Sequence, residues 1–238
     1  MLFTETLKIY RSRMHKIKIS QQTIDAAVKR RGGKQFAFTD IDPCKTALVV
    51  IDMQNYFLEP GMAAEVESAR EIVPNINKIA DALRTVGGQV IWVVSTFDKD
   101  IFEDWSVMKD LFTSERRAAM IENLSEGAHG HEIWPDLLVD KNDWTINKNR
   151  FSALVNGSSN LEACLKGADI ETLIITGTLT DVCCESTARD AMMLNYKVIM
   201  VSDANAASCD DDHNDAINAL ARLFADVTST NHVIERLK

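Results

Sequence analysis

The chain has 238 residues, 46% of them apolar and 26% charged, with four prolines and ten glycines. That is enough for one large α/β domain with a sizeable core, and it excludes global disorder. The formal charge of −9 argues against nucleic acid or an anionic membrane surface as a partner. The short basic cluster Lys29, Arg30, Arg31 and Lys34 reads as a solvated helix end.

Five cysteines, at 44, 164, 183, 184 and 209, form an odd set without a repeated metal-ligand spacing. Reduced thiols are expected in a chain of this length. No run reaches the roughly 18 apolar residues of a membrane span. The stretch MLFTETLKIYRSRMHK has no apolar core of the kind a signal peptide needs. The expectation is a cytoplasmic protein.

Residues 1–45 read as a partly helical N-terminal extension, suited to an oligomer contact or a lid. Ser20 caps a short helix through about Arg31, and Gly32-Gly33 ends it. From Thr46 the signal sharpens into one domain, 46–238. TALVVI at 46–51 is continuous, apolar and β-branched, as a strand buried on both faces should be. A helix is predicted over 73–86 from Ile76, Ile79, Ala80 and Leu83, and Gly87-Gly88 breaks it. QVIWVV at 89–94 is a second buried strand. Residues 97–142 are mixed, and 144–147 is a weaker strand. Then follow a helix at 161–166, a strand at 172–176, a helix at 181–195, a strand at 197–201 and a helix at 211–224. Strands alternating with helices predict an α/β, doubly wound, mainly parallel sheet with helices on both faces.

In such sheets ligands bind outside the carboxyl ends of the strands. Three reactive side chains fall there. Asp52 ends TALVVID, Lys148 ends WTINK, and Cys183 follows TLIIT at the start of a helix. A thiol is nucleophilic only as thiolate, and a first helical turn favours negative charge there. The same backbone N–H groups can hold an oxyanion. Asp52 can take the thiol proton, and Lys148 can stabilise both by opposite charge. Each residue alone also has an ordinary reading: a buried small hydrophobe, a loop cap, a surface lysine. Cys184 is a rival that points about 100° away in a helix. No histidine completes a Cys-His pair; His213, in CDDDHND, reads as a helix-start residue.

The stretches ALVVIDMQNYFLEPG, INKNRFSAL and TGTLTDVCCESTARDAMMLNYKVIMVSDANAA, with the helix from His213, resemble the isochorismatase-like cysteine hydrolase superfamily over about 46–238. The resemblance implies a catalytic triad of Asp52, Lys148 and Cys183. It also implies a cis peptide between Thr178 and Leu179, with the N–H groups of Leu179 and Cys183 as oxyanion hole. It implies an amide- or ureido-cleaving enzyme that works through a thioester, and a homodimer or homotetramer. STFDKDIFEDW lacks the histidines of the nicotinamidase metal motif, so no metal and no cofactor are expected. The isolated His129 and His131 read as a polar loop.

DMQN with Asn55 and KNRFS with Arg150 and Phe151 look most like the ureidoacrylate and carbamoyl-amide branch. Gln54, Asn55, Phe57, Phe97, Trp105 and Phe151 are assigned to the substrate pocket, although each serves equally well in core packing. Two other readings stay open: a catalytically silent small-molecule-binding protein on the same fold, and a redox sensor using Cys183 and Cys184.

Overall fold

The strands form where the sequence is continuously apolar. In the computed structural model, which describes residues 14–237, they are β1 (Thr46–Ile51), β2 (Gln89–Ser95), β3 (Trp144–Lys148), β4 (Thr172–Thr178), β5 (Lys197–Ala206) and β6 (Asp226–Thr228). They make one parallel sheet in the order β3-β2-β1-β4-β5-β6. The order reverses between β1 and β4, and a crevice opens at their carboxyl ends.

The helices are α1 (Gln21–Arg30), α2 (Asn55–Leu58), α3 (Ala69–Thr85), α4 (Ile101–Asp104), α5 (Met108–Leu111), α6 (Ser114–Leu124), α7 (Leu161–Gly167), α8 (Glu185–Met193), α9 (Asp210–Leu223) and α10 (Thr230–Arg236). Alternate residues of β1 face two cores. Leu48 and Val50 pack with Ile76, Ile79 and Leu83 of α3 and Val233 of α10. Ala47, Val49 and Ile51 pack with Leu161 and Leu165 of α7, Ala188 of α8 and Leu220 of α9. Each fully buried Val, Leu or Ile contributes about 1.5–3 kcal/mol, so β1 anchors both layers. Among the described residues no helix is long and apolar enough to cross a membrane.

The structure departs from the sequence reading at several ends. Helix α3 starts at Ala69, with Pro74 inside it, because Ala69 and Ile72 extend its buried face. The predicted helix at 181–195 is a π turn, Thr180–Cys184, followed by α8. It stops before Asn195, whose φ of 74° is left-handed. Strand β5 runs on to Ala206, with a register shift against Ile175 and Gly177 of β4.

Residues 1–13 of the extension lie outside the described residues. Residues 14–45 are bound to the body of the same chain. Lys18 N donates to Asn214 Oδ1 (2.6 Å), and Asn214 Nδ2 to Lys16 O (2.9 Å). Ser20 N donates to Asn218 Oδ1 (2.8 Å), and Asn218 Nδ2 to Lys18 O (2.9 Å). Asp226, fully buried at the head of edge strand β6, accepts from the amides of Ala37 and Phe38, both at 2.9 Å, and pairs with Arg31. The extension thereby covers that end of the sheet.

Candidate active site

At the end of β1 the backbone turns sharply. Asp52 has φ 51°, a left-handed conformation that Asp tolerates better than most residues. Its N–H donates to Val93 O (2.9 Å) and its carbonyl accepts from Thr178 Oγ1 (3.1 Å). Its position is therefore fixed by both neighbouring strands. Gly177, with φ 119°, lets β4 approach closely: a Cβ there would sit 2.1 Å from Ile51 O. The peptide bond between Thr178 and Leu179 is cis.

Three strand ends bring their side chains together. Lys148 Nζ lies 2.8 Å from Asp52 Oδ2 and donates to Ser95 Oγ (2.8 Å) and Arg150 O (3.1 Å). It also approaches Cys183 Sγ at 3.6 Å. Ser95 Oγ donates in turn to Asp52 Oδ1 (2.9 Å). Asp52 and Lys148 are 0% and 1% exposed. Burial alone would lower the Lys148 pKa, but the charges of Asp52 and Cys183 outweigh it, so the group is held as an ammonium. The Cys183 thiol is pushed well above its ordinary range, by burial first and then by the Asp52 charge, against the pull of Lys148. Burial and the Asp52 charge thus favour the proton on sulfur.

Cys183 opens into a cavity of about 330 Å³. Cys184 does not; its Sγ points back to Thr176 O (3.9 Å). The cavity walls include Tyr56, Phe57, Phe97, Phe112, Met120, Phe151 and Leu179, with Arg116 and Arg150 among them. No residue of 14–45 lines it.

Of the residues that the sequence assigned to a substrate pocket, Phe57, Phe97 and Phe151 line this cavity, whereas Gln54, Asn55 and Trp105 do not. Gln54 is a buried brace: its Nε2 donates to Ser95 O (3.1 Å) and His131 O (2.9 Å), and its Oε1 accepts from Ser95 N (2.8 Å). Asn55 Nδ2 donates to His129 O (2.9 Å). Both amides thus tie backbone of the His129–His131 turn, and that of Gln54 also ties the end of β2. Trp105 stands behind the wall, edge-on to Phe151 with ring centroids 4.8 Å apart and with Arg150 over its face. The turn His129–His131 is held from outside, by Glu59 on His129 and Thr96 on His131.

Sequence reasoning missed Ser95 and Arg116. Ser95 ends β2 level with Lys148, so the strand-end rule that found the other three could have found it. Arg116 lies in the mixed stretch 97–142, which carries no readable period.

The isochorismatase domain family model matches residues 46–232. A probable inactive nicotinamidase of Arabidopsis thaliana is 35% identical over 71% of this chain and 84% of its own. A ureidoacrylate amidohydrolase of Agrobacterium fabrum is 32% identical over 69% of this chain and 77% of its own. Among solved structures, a cysteine hydrolase from Pseudomonas syringae pv. phaseolicola is 34% identical, with a TM-score of 0.75 over 83% of this chain and 94% of its own. N-carbamoylsarcosine amidase from Thermoplasma acidophilum is 26% identical, with a TM-score of 0.63 over 79% and 97%. The chain belongs to the isochorismatase-like hydrolase superfamily.

Proposed function

We propose that this chain hydrolyses a small ureido or carbamoyl acid through a thioester on Cys183. The coarser reading, a hydrolase of amide C–N bonds, follows from the family and from relatives named as amidohydrolases. The observation that carries the finer reading is Lys148 Nζ, 2.8 Å from Asp52 and 3.6 Å from Cys183 Sγ at the base of a cavity.

In this reaction Asp52 takes the thiol proton as sulfur attacks the carbonyl carbon. The carbonyl oxygen gains negative charge, which the Leu179 and Cys183 N–H groups receive; each such donor contributes about 3 kcal/mol. Asp52 then passes its proton to the leaving nitrogen, and the C–N bond breaks. Water, deprotonated by Asp52, attacks the thioester, the C–S bond breaks, and the proton returns to sulfur. Lys148 stays protonated throughout and keeps the alternating charges of Asp52 and sulfur inside a dry site.

The choice of an acid as substrate rests on the cavity's charges. Its one carboxylate, Glu65, is taken by Arg70 at 2.9 Å. Arg116 and Arg150 make only backbone, amide and ring contacts among the described residues. Both have donors to spare for a substrate carboxylate. The test compares a ureido acid with its uncharged methyl ester, on wild type and Arg116→Met. The acid is expected to be preferred by wild type, with Arg116→Met raising its KM about tenfold and leaving the ester unaffected. Equal use of acid and ester by both proteins contradicts the anionic substrate.

A further inference from the structure

The extension lies outside the matched family stretch, yet one of its side chains reaches the back of the site. His15 has a side chain only 6% exposed. Its Nδ1 is 2.9 Å from Asp210 Oδ1 at the start of α9. Its Nε2 is 3.1 Å from Ser68 Oγ, just before α3, and accepts the backbone N–H of Ala207 at 3.0 Å. A backbone amide can only donate, so Nε2 carries the lone pair and Nδ1 the proton given to Asp210. Ser68 Oγ gives its one proton to Ala207 O (2.9 Å), so the N–H and the C=O of Ala207 are both held.

Ala207 is no remote residue. Ala206, before it, is in register with Thr178 of β4, and Ser208, after it, lines the cavity. From another side the His15 ring stacks on His213, centroids 4.4 Å apart and planes 17° from parallel. His213 Nδ1 is 2.8 Å from Thr180 Oγ1, inside the turn that carries Cys183. His213 is itself buried, and burial depresses its pKa to about 3. It stays neutral and serves as a polar prop. One imidazole thus supports the nucleophile turn twice, through Ala207 beside Thr178 and through His213 beside Thr180.

We infer that His15 is a positioning residue for the nucleophile, so that the N-terminal extension completes the active site from behind rather than merely covering the sheet edge. This rests on the cysteine-hydrolase reading above. His15 touches no reacting atom; it acts by fixing the Thr178–Cys183 turn. Such turns are sensitive, since a shift of about 1 Å can cost 100-fold in rate.

The test uses the full chain and reads two quantities: the rate of Cys183 alkylation by iodoacetamide, followed by peptide mass, and kcat and KM on the best ureido or carbamoyl substrate. His15→Phe keeps a ring on His213 but loses both nitrogens. His15→Gln keeps a donor and an acceptor. Asn218→Ala removes an extension contact that does not touch Ala207. His15→Phe is expected to slow alkylation and kcat about tenfold or more with little change in KM. His15→Gln should recover much of both, and Asn218→Ala should match wild type. Ser68→Ala, a milder change beside Ala207, should move both rates in the same direction and stands in if His15→Phe does not fold. If His15→Phe and Ser68→Ala alkylate and turn over like Asn218→Ala, losing only melting temperature, the extension is a structural tie and the inference fails. Should wild type cleave no such substrate, the hydrolase reading fails, while the alkylation rates still decide the role of His15.

Discussion

The two ends of the sheet carry similar charged residues and use them differently. At the amino ends, Lys45 Nζ lies 2.8 Å from Asp169 and 2.9 Å from Glu171, and Lys197 lies 3.3 Å from Glu171. These groups are open to solvent, where water and salt screen them and each pair is worth little. At the carboxyl ends, Lys148 and Asp52 are sealed from water. There a charge persists only because a partner stands beside it. A pair at 2.8 Å decorates one end of the molecule and sets proton positions at the other; the difference is solvent.

That comparison can be broken by removing one lysine from each end. Lys148→Met leaves Asp52 buried without its cation, which should cost about 3–5 kcal/mol of stability, read from urea denaturation, and should abolish turnover. An intermediate case lies at the far edge. Asp143, its side chain 3% exposed, accepts from Arg84 Nε (3.0 Å), Trp92 Nε1 (2.8 Å) and Asp140 N (2.9 Å). Burial pulls its pKa upward, but those donors outweigh it and hold the carboxyl below its ordinary range. A depressed folded-state pKa stabilises the protein fully above the unfolded value of about 3.9 and loses that contribution as pH falls through the folded value. Asp143→Asn should therefore lower the melting temperature at pH 7 and narrow its gap to wild type at pH 3; a gap that widens in acid contradicts this sign. The smallest effect belongs to Lys45→Met, which should leave the urea midpoint at its wild-type value. A loss equal to that of Lys148→Met would erase the distinction between the two ends.

Much of this arrangement is legible in the sequence. Strands β1, β2 and β4 are buried on both faces, so each reads as an unbroken apolar run. Helix α9 reads from Ala216, Leu220 and Leu223 as one face; Ala216 and Leu220 do lie one turn apart on its buried face, whereas Leu223 is exposed. Asp52, Lys148 and Cys183 follow from asking what lies at strand ends, and the geometry does bring them together. Other parts follow a different logic. Strand β6 opens with Asp226, a polar residue kept for the amides of Ala37 and Phe38, so its three residues carry no apolar signal. Helix α10 follows it closely and was missed with it. Gln54 and Asn55, beside Asp52, look like ligand contacts in a string of letters; in space their amides satisfy backbone atoms around the His129–His131 turn. The role of His15 depends on contacts with residues about 190 positions away, which no local pattern encodes.

The most direct measurement is ammonia and amine release from a panel of ureido acids, carbamoyl compounds and small amides, with wild type beside Cys183→Ala and intact-mass detection of an acyl adduct. The account predicts product from wild type, an acyl adduct on Cys183 within the first turnovers, and at least about 10³-fold less product from Cys183→Ala at unchanged melting temperature. Product formed at the wild-type rate by Cys183→Ala would contradict it.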